Sequence, residues 1–337
     1  MKKWQKILLY PAALFFALFI FIALQYLLTG SPDKVSPVRT DCVGAADSDC
    51  VSDSAAEIVA HRGVHHNYQK GVYHPVTGCE ALHIFPPTHE LIENTVDSIA
   101  AAFAAGATMV EIDIRRTADD NMVLMHDYML ECRTDGTGLV GEHDTAYLQG
   151  LDIGYGYTAD GGKTFPLRGK GVGKMPTLAE VLHRFPDGCF LLDHKDWNVE
   201  SAETLVKILA DVPGAQRRRL WFWGPEEPLR YIQGFYPEIR RFFPLRAQLK
   251  EFGLPFFLSF GLIKVPEEYR GLSIPIPARY LKWVWGWPYR FIDTAHNQGL
   301  KVMIYVDTAE EAARYKELPV DGFVTDYIEI TGPILQD

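Results

Sequence analysis

Short apolar runs rich in β-branched residues alternate with amphipathic stretches of helical length through most of this chain. That alternation is the pattern of βα units around a parallel sheet. Strands are expected near residues 57–61, 108–114, 122–126, 189–194, 219–223, 240–243, 301–306 and 321–325, and helices near 95–105, 177–185, 199–211, 226–233, 288–298 and 308–316. The region 240–260 has little periodicity, and the strand count reaches eight only if it supplies one. No internal repeat of fixed period is present.

The first thirty residues obey a different rule. Lys2, Lys3 and Lys6 precede Ile7 to Leu28, an uncharged run rich in Leu, Phe and Ala and longer than the roughly 18 residues that mark a spanning helix. By the positive-inside rule the amino terminus stays in the cytoplasm and the rest of the chain is exported. The competing reading is a cleaved secretory signal, whose apolar core is usually only about 7–15 residues. Length favours the anchor, and both readings export the remainder of the chain. The expected organisation is a transmembrane anchor over residues 1–29, a flexible Ser/Asp/Pro/Ala-rich linker over 30–56, and one catalytic domain over 57–333. The expected location is a single-pass membrane protein with its catalytic domain on the periplasmic or extracellular face.

The strands carry chemistry at their ends. His61 closes the run Glu57-Ile-Val-Ala-His-Arg-Gly63, and His126 closes Met122-Val-Leu-Met125. A histidine titrates near neutrality, so the two suit acid and base duty on either side of a bond. Glu111 and Asp113 sit two residues apart on one expected strand and must share a face. Asp193 and Lys195 do the same on another. Three carboxylates from two strand ends make a plausible site for a hard divalent cation. Arg62 and Lys195 add positive charge for phosphoryl oxygens. This equipment suits metal-assisted cleavage of a phosphodiester.

The motifs HRG (61–63), ENT (93–95), VEIDI (110–114), HD (126–127) and VDGFVTD (320–326) resemble, in that order, those of the glycerophosphodiester phosphodiesterase family. The resemblance implies a (β/α)8 TIM barrel, here preceded by the N-terminal transmembrane helix. It also implies a Ca²⁺- or Mg²⁺-dependent site and metal-dependent hydrolysis of glycerophosphodiesters to glycerol 3-phosphate and an alcohol. It gives His61 and His126 the acid and base roles, without saying which has which. It makes Arg62 and Lys195 catalytic, Glu93 and Asn94 substrate-binding, and Glu111, Asp113 and Asp193 the metal ligands. The family generally has Glu in an E-x-K pattern where this chain has D-x-K, a shorter reach that spider-venom-type phospholipases D share. Two alternatives stay open: a lysophospholipase D or phospholipase C acting on membrane lipid, and a catalytically silent barrel that binds a lipid head group.

Asn94 or Thr95 could cap the next helix, and Glu93 could contact the metal shell or a glycerol hydroxyl. Asp127 is expected to orient His126, Asp326 to be structural, and His143, His183, His194 and His296 to be surface or packing residues. The loop 64–92, with five histidines, is far longer than such a connection usually is, and reads either as a lid or as a solvated excursion. The aromatic stretch Tyr280 to Tyr289 suits barrel-helix packing, a membrane interface or a lipid pocket. Among Cys42, Cys50, Cys79, Cys132 and Cys189 no zinc spacing occurs; Cys42 with Cys50 is the closest pair for a disulfide, and free thiols with Cys189 buried in a strand are the alternative. The net charge of −10, with no basic stripe, argues against nucleic acid as a partner. The expected partners are a glycerophosphodiester or lysophospholipid substrate, and a membrane through the N-terminal helix.

Overall fold

The computed structural model describes residues 20, 35–36, 56–69 and 79–337. The anchor Ile7–Leu28 apart from Ile20, the Cys42/Cys50 pair, nearly all of the linker and loop residues 70–78 lie outside the described residues. Among the described residues, no helix is long and apolar enough to cross a membrane. The chain divides into two compact units.

Of the described residues, the larger unit comprises residues 56–69, 79–245, Tyr305–Lys316 and Gly322–Asp337. Its main elements run β1 (Glu57–Ala60), α1 (Val96–Ala104), β2 (Met109–Arg116), β3 (Met122–Leu124), α2 (Leu178–Arg184), β4 (Phe190–His194), α3 (Val199–Ala210), β5 (Leu220–Trp223), α4 (Glu226–Gln233), β6 (Arg240–Arg241), α5 (Ala309–Tyr315), β7 (Gly322–Thr325) and α6 (Ile328–Gln336), with the short helix Thr145–Gly150 in the long connection from β3 to α2 and the short helix Gly214–Arg217 before β5. The strands pair in the order β6-β5-β4-β2-β1-β7, all parallel. Four helices of this unit begin at side-chain caps, α5 at Thr308, which accepts from the Glu311 N–H. Thr95, Thr177 and Asn198 accept from the backbone N–H groups of Ser98, Glu180 and Ser201, relieving donors that a helix start leaves free. The cap of α1 is Thr95, and Glu93 and Asn94 precede the helix.

Strand register separates the two faces of the sheet. Ile112, Leu192 and Phe222 lie side by side, as do Asp113, Asp193 and Trp223 one residue later. The first set belongs with Val110, Ile114, Phe190 and Leu220 in a core packed against Leu178, Val181, Leu205, Leu209, Leu229 and Ile232 of the helices. Each such fully buried side chain is worth about 1.5–3 kcal/mol. Because side chains alternate, the intervening Glu111, Asp113 and Asp193 are turned to the other face.

Two strand expectations need correction. The segment near 122–126 is not a parallel member of the sheet: β3 runs antiparallel to β2, with Ile114 opposite Leu124. Only five residues join them, too few for the dozen or more that a parallel crossover requires. A strand also occurs at Ser273–Pro277, which the periodicity did not indicate. Its Pro275 and Pro277 supply no backbone donor and read as a strand breaker.

Of the described residues, the smaller unit comprises residues 20, 35–36, Arg246–Ile304 and Glu317–Asp321. It holds that strand, the helix Tyr289–Asn297 and most of the strand Lys301–Tyr305. The aromatic stretch has split roles here: Trp285 is buried against Phe256 and Phe291, whereas Tyr280 and Trp283 are 50% and 54% exposed. His296 is a packing residue, donating to Asp321 at 2.9 Å.

Candidate active site

The first strand ends in a forced turn. Arg62 has φ +56° and Gly63 φ +76°; a Cβ on Gly63 would lie 2.5 Å from the Ser98 hydroxyl, so only glycine fits. The left-handed conformation of Arg62 is strained for a side-chain-bearing residue, and it directs the Arg62 N–H to Glu111 Oε2 at 2.9 Å. Asn94 is left-handed too, with φ +58°. Its side chain donates to Asp113 Oδ2 (2.7 Å) and accepts from the Asp113 N–H (3.0 Å). Two strained residues therefore clamp the two carboxylates of β2.

Glu111, Asp113 and Asp193 are buried, and their oxygens lie within 4.8 Å of one another. Glu111 Oε1 has no hydrogen-bond partner, an orphaned acceptor of the kind a cation satisfies. Burial and the neighbouring Asp113 push the Glu111 carboxyl up to about 8. Burial would also raise Asp113, but Lys195 and Arg62 outweigh it and hold Asp113 well below the usual range. Lys195 reaches Asp113 at 2.8 Å and Asp193 at 2.5 Å, and these carboxylates keep its ammonium charged against the cost of burial. The three acids thus fit a divalent cation, with Lys195 already balancing two of them.

Both histidines are oriented by carboxylates. His61 donates from Nδ1 to Asp326 Oδ1 at 2.7 Å, leaving Nε2 3.9 Å from Glu111. Asp326, expected to be structural, thus holds a site histidine, because β7 pairs with β1 and ends beside it. His126 donates to Asp127 Oδ1 at 2.7 Å, as the HD spacing suggested. Their protonation tendencies differ. For His61, burial and Arg62 lower the pKa, but Glu111 and Asp326 prevail and raise it. For His126, burial and Arg62 prevail and lower it.

Arg62 is 3% exposed. It donates to Glu80 (2.8 Å) and Glu93 (3.2 Å), and its Nε lies 3.3 Å from Asp113. Glu93 therefore holds arginines: its second oxygen accepts from Arg133 at 2.7 Å and from Tyr157 at 3.3 Å. All nine residues singled out for the site (His61, Arg62, Glu93, Asn94, Glu111, Asp113, His126, Asp193 and Lys195) fall in one cluster of the larger unit.

Sequence reasoning passed over Glu80, Arg133 and Tyr157, all buried there. Nothing in their local sequence distinguishes them except that Glu80 and Arg133 each come directly after a cysteine. Cys79 and Cys132 form a disulfide, and Cys189 is also disulfide-bonded, so the free-thiol alternative fails for all three. Part of the long loop packs against the site, while Leu82 and Phe85 are exposed. His65 and His66 are buried and pushed down to about 4 by burial, and His66 stacks on His89 at 4.2 Å.

Comparison with known proteins agrees with this geometry. Residues 61–207 match the model of the Glycerophosphoryl diester phosphodiesterase family. A glycerophosphodiester phosphodiesterase of Bacillus subtilis (strain 168) is 36% identical over 96 residues, covering 28% of this chain and 31% of the relative. A human lysophospholipase D is 24% identical over 264 residues, 71% of this chain and 80% of that protein. The chain spans about a quarter to a third of the length of the first curated relatives it matches. The crystal structure of a glycerophosphodiester phosphodiesterase from Agrobacterium tumefaciens superposes with a TM-score of 0.58 at 18% identity, over 84% of this chain and all of that one; this likeness shows a TIM-barrel-like fold. With that fold and the HRG, ENT and VEIDI residues gathered in one cluster, residues 61–207 are those that match the glycerophosphoryl diester phosphodiesterase family.

Proposed function

We propose that this protein hydrolyses glycerophosphodiesters to glycerol 3-phosphate and an alcohol, using a divalent cation, Ca²⁺ or Mg²⁺, held by Glu111, Asp113 and Asp193. The observation that carries the reading is a buried three-carboxylate cluster with an orphaned oxygen, flanked by two carboxylate-oriented histidines and a buried arginine. When bound, the cation would neutralise charge on the phosphoryl oxygens. Arg62 adds to that neutralisation, and Lys195 balances the charge of Asp113 and Asp193. His61, biased toward its protonated form by Glu111 and Asp326, is the general acid that delivers a proton to the departing alkoxide. His126, biased toward its neutral form, is the general base that takes a proton from the attacking water, whose oxygen forms the new bond to phosphorus as the bond to the departing alcohol breaks. Asp326 and Asp127 fix the tautomers, so that each Nε2 faces the reaction.

A lysophospholipase D reading has one specific support, the similarity to a human lysophospholipase D over most of both chains. Membrane attachment through Ile7–Leu28 is part of the proposal, with the catalytic domain on the exported face, and it suits either substrate. The deciding experiment measures choline release from glycerophosphocholine and from lysophosphatidylcholine, each with added Ca²⁺ or Mg²⁺ and with chelator. Faster, chelator-sensitive turnover of glycerophosphocholine is expected. Faster turnover of lysophosphatidylcholine would move the assignment to lysophospholipase D, and binding without turnover of either would leave a silent head-group receptor.

A further inference from the structure

The Cys79–Cys132 disulfide joins residues 53 apart in sequence, with Cα atoms 5.3 Å from one another. Next to each cysteine stands a buried ionic residue: Glu80 is 8% exposed and Arg133 2%. Glu80 Oε2 accepts from Arg62 at 2.8 Å and from Arg133 at 2.7 Å, so one oxygen separates two buried guanidinium groups. Arg133 directs its remaining donors to Glu93 (2.7 Å), Tyr157 (2.8 Å) and Asp127 Oδ2 (2.8 Å). The other oxygen of Asp127 holds His126. An unbroken chain of contacts therefore runs from the disulfide through Glu80 and Arg133 to the catalytic arginine on one side and to a catalytic histidine on the other.

We propose that Glu80 and Arg133 are positioning residues for Arg62 and His126, and that the Cys79–Cys132 bond is the latch that keeps them in register. The proposal rests on the hydrolase reading above. Two guanidinium groups this close repel, and they are stable only while shared carboxylates lie between them. Glu93 alone would have to serve both if Glu80 withdrew. Arg62 would then re-aim, and Arg133 would lean further on Asp127, weakening its hold on the His126 proton. Glu80 lies on a short 3-10 turn, Glu80–His83, in the long inserted segment, so no regular helix or strand of the sheet fixes its place. The covalent bond one residue away supplies the constraint, by removing conformations in which the segment swings clear.

The test uses the full-length protein in three forms: E80Q, the double variant C79S/C132S, and the triple combination. Serine pairs are used rather than reductant because Cys189 is also in a disulfide. With glycerophosphocholine and saturating cation, E80Q should lower kcat about tenfold or more, and C79S/C132S should lower it comparably at temperatures well below its melting point. The triple variant should be no worse than E80Q, because interactions acting through one chain of contacts are non-additive. In chelator, the His126 imidazole titration followed by NMR should move down by about one pH unit in E80Q, the size expected for deleting one nearby buried charge. Unchanged kcat in E80Q, or losses that multiply in the triple variant, would overturn the proposal and leave the disulfide a stabiliser only. Wild-type protein without turnover would sink the hydrolase reading instead. The NMR titration would still decide this one: an unmoved His126 midpoint refutes it.

Discussion

Replacing Asp326 by Asn tests the division of labour between the two histidines. The substitution nearly preserves shape, and the amide oxygen can still accept from His61 Nδ1, which lies 2.7 Å from the carboxylate. What disappears is the charge. A hydrogen bond to a charged group contributes about 1.5–3 kcal/mol, and one between neutral groups about 0.5–1.5 kcal/mol. The loss is therefore about 1–1.5 kcal/mol, or about one pKa unit at 1.36 kcal/mol per unit. His61 is raised in the folded protein, so as a general acid it loses its proton, and the enzyme its activity, as pH rises through that value. In Asp326→Asn this basic limb of kcat/KM should move down by about one unit, giving an approximately tenfold loss at pH 8 and little change near pH 6. Stability should have the same sign. The contribution of a raised histidine is fully present below its unfolded pKa of about 6.5 and vanishes as pH rises through the folded value. The variant should therefore melt lower at pH 5.5, by about 2–4 °C per kcal/mol lost, and match the wild type at pH 9. Initial rates from pH 5 to 9 with saturating cation, paired with thermal melts, make the measurement. A basic limb that stays in place in a folded variant would refute the assignment of His61 as acid.

Other substitutions separate charge balance from cation binding. Glu111→Gln should melt at or above the wild-type temperature in chelator at pH 8, because a buried carboxyl raised to about 8 destabilises the fold progressively as pH rises from its unfolded value toward that pKa. The same variant should lose most of the melting-temperature gain produced by Ca²⁺ or Mg²⁺, as read by differential scanning fluorimetry. Asp113→Asn should be far more damaging, since it leaves Lys195 and Arg62 short of a counter-charge at a cost of about 3–5 kcal/mol; a denaturant melt showing less than 1 kcal/mol would contradict the ion-pair account. The Ile7–Leu28 run predicts that the full-length protein pellets with membranes after a carbonate wash, while a chain beginning at Asp53 stays in the supernatant. Expression of the full chain that instead yields soluble protein with an amino terminus beyond Gly30 would establish a cleaved signal.

The parallel α/β plan and the shared face of Glu111 and Asp113 were legible from the chain's residues, and the resemblance carried by its motifs pointed to the rest of the nine. The plan and the shared face depend on local rules. Alternation along a strand puts Glu111 and Asp113 on one face regardless of what surrounds them, and Thr95, Thr177 and Asn198 cap helices through bonds spanning three residues. Residues that act at a distance were not legible in this way. Asp326 read as structural because its partner, His61, lies 265 positions away and meets it only when β7 pairs with β1. The antiparallel β3 and the proline-bearing strand Ser273–Pro277 were misread or missed because strand direction and pairing are settled by neighbours, not by composition. Glu80 and Arg133 carry the same lesson furthest. Neither belongs to a periodic pattern, and a buried ion has a stable place only where oppositely charged partners converge on it. Arg62 comes to that place from the first strand, Glu93 from the segment before α1, Asp127 from the end of β3, and a disulfide spans 53 residues beside them; only folding brings them together.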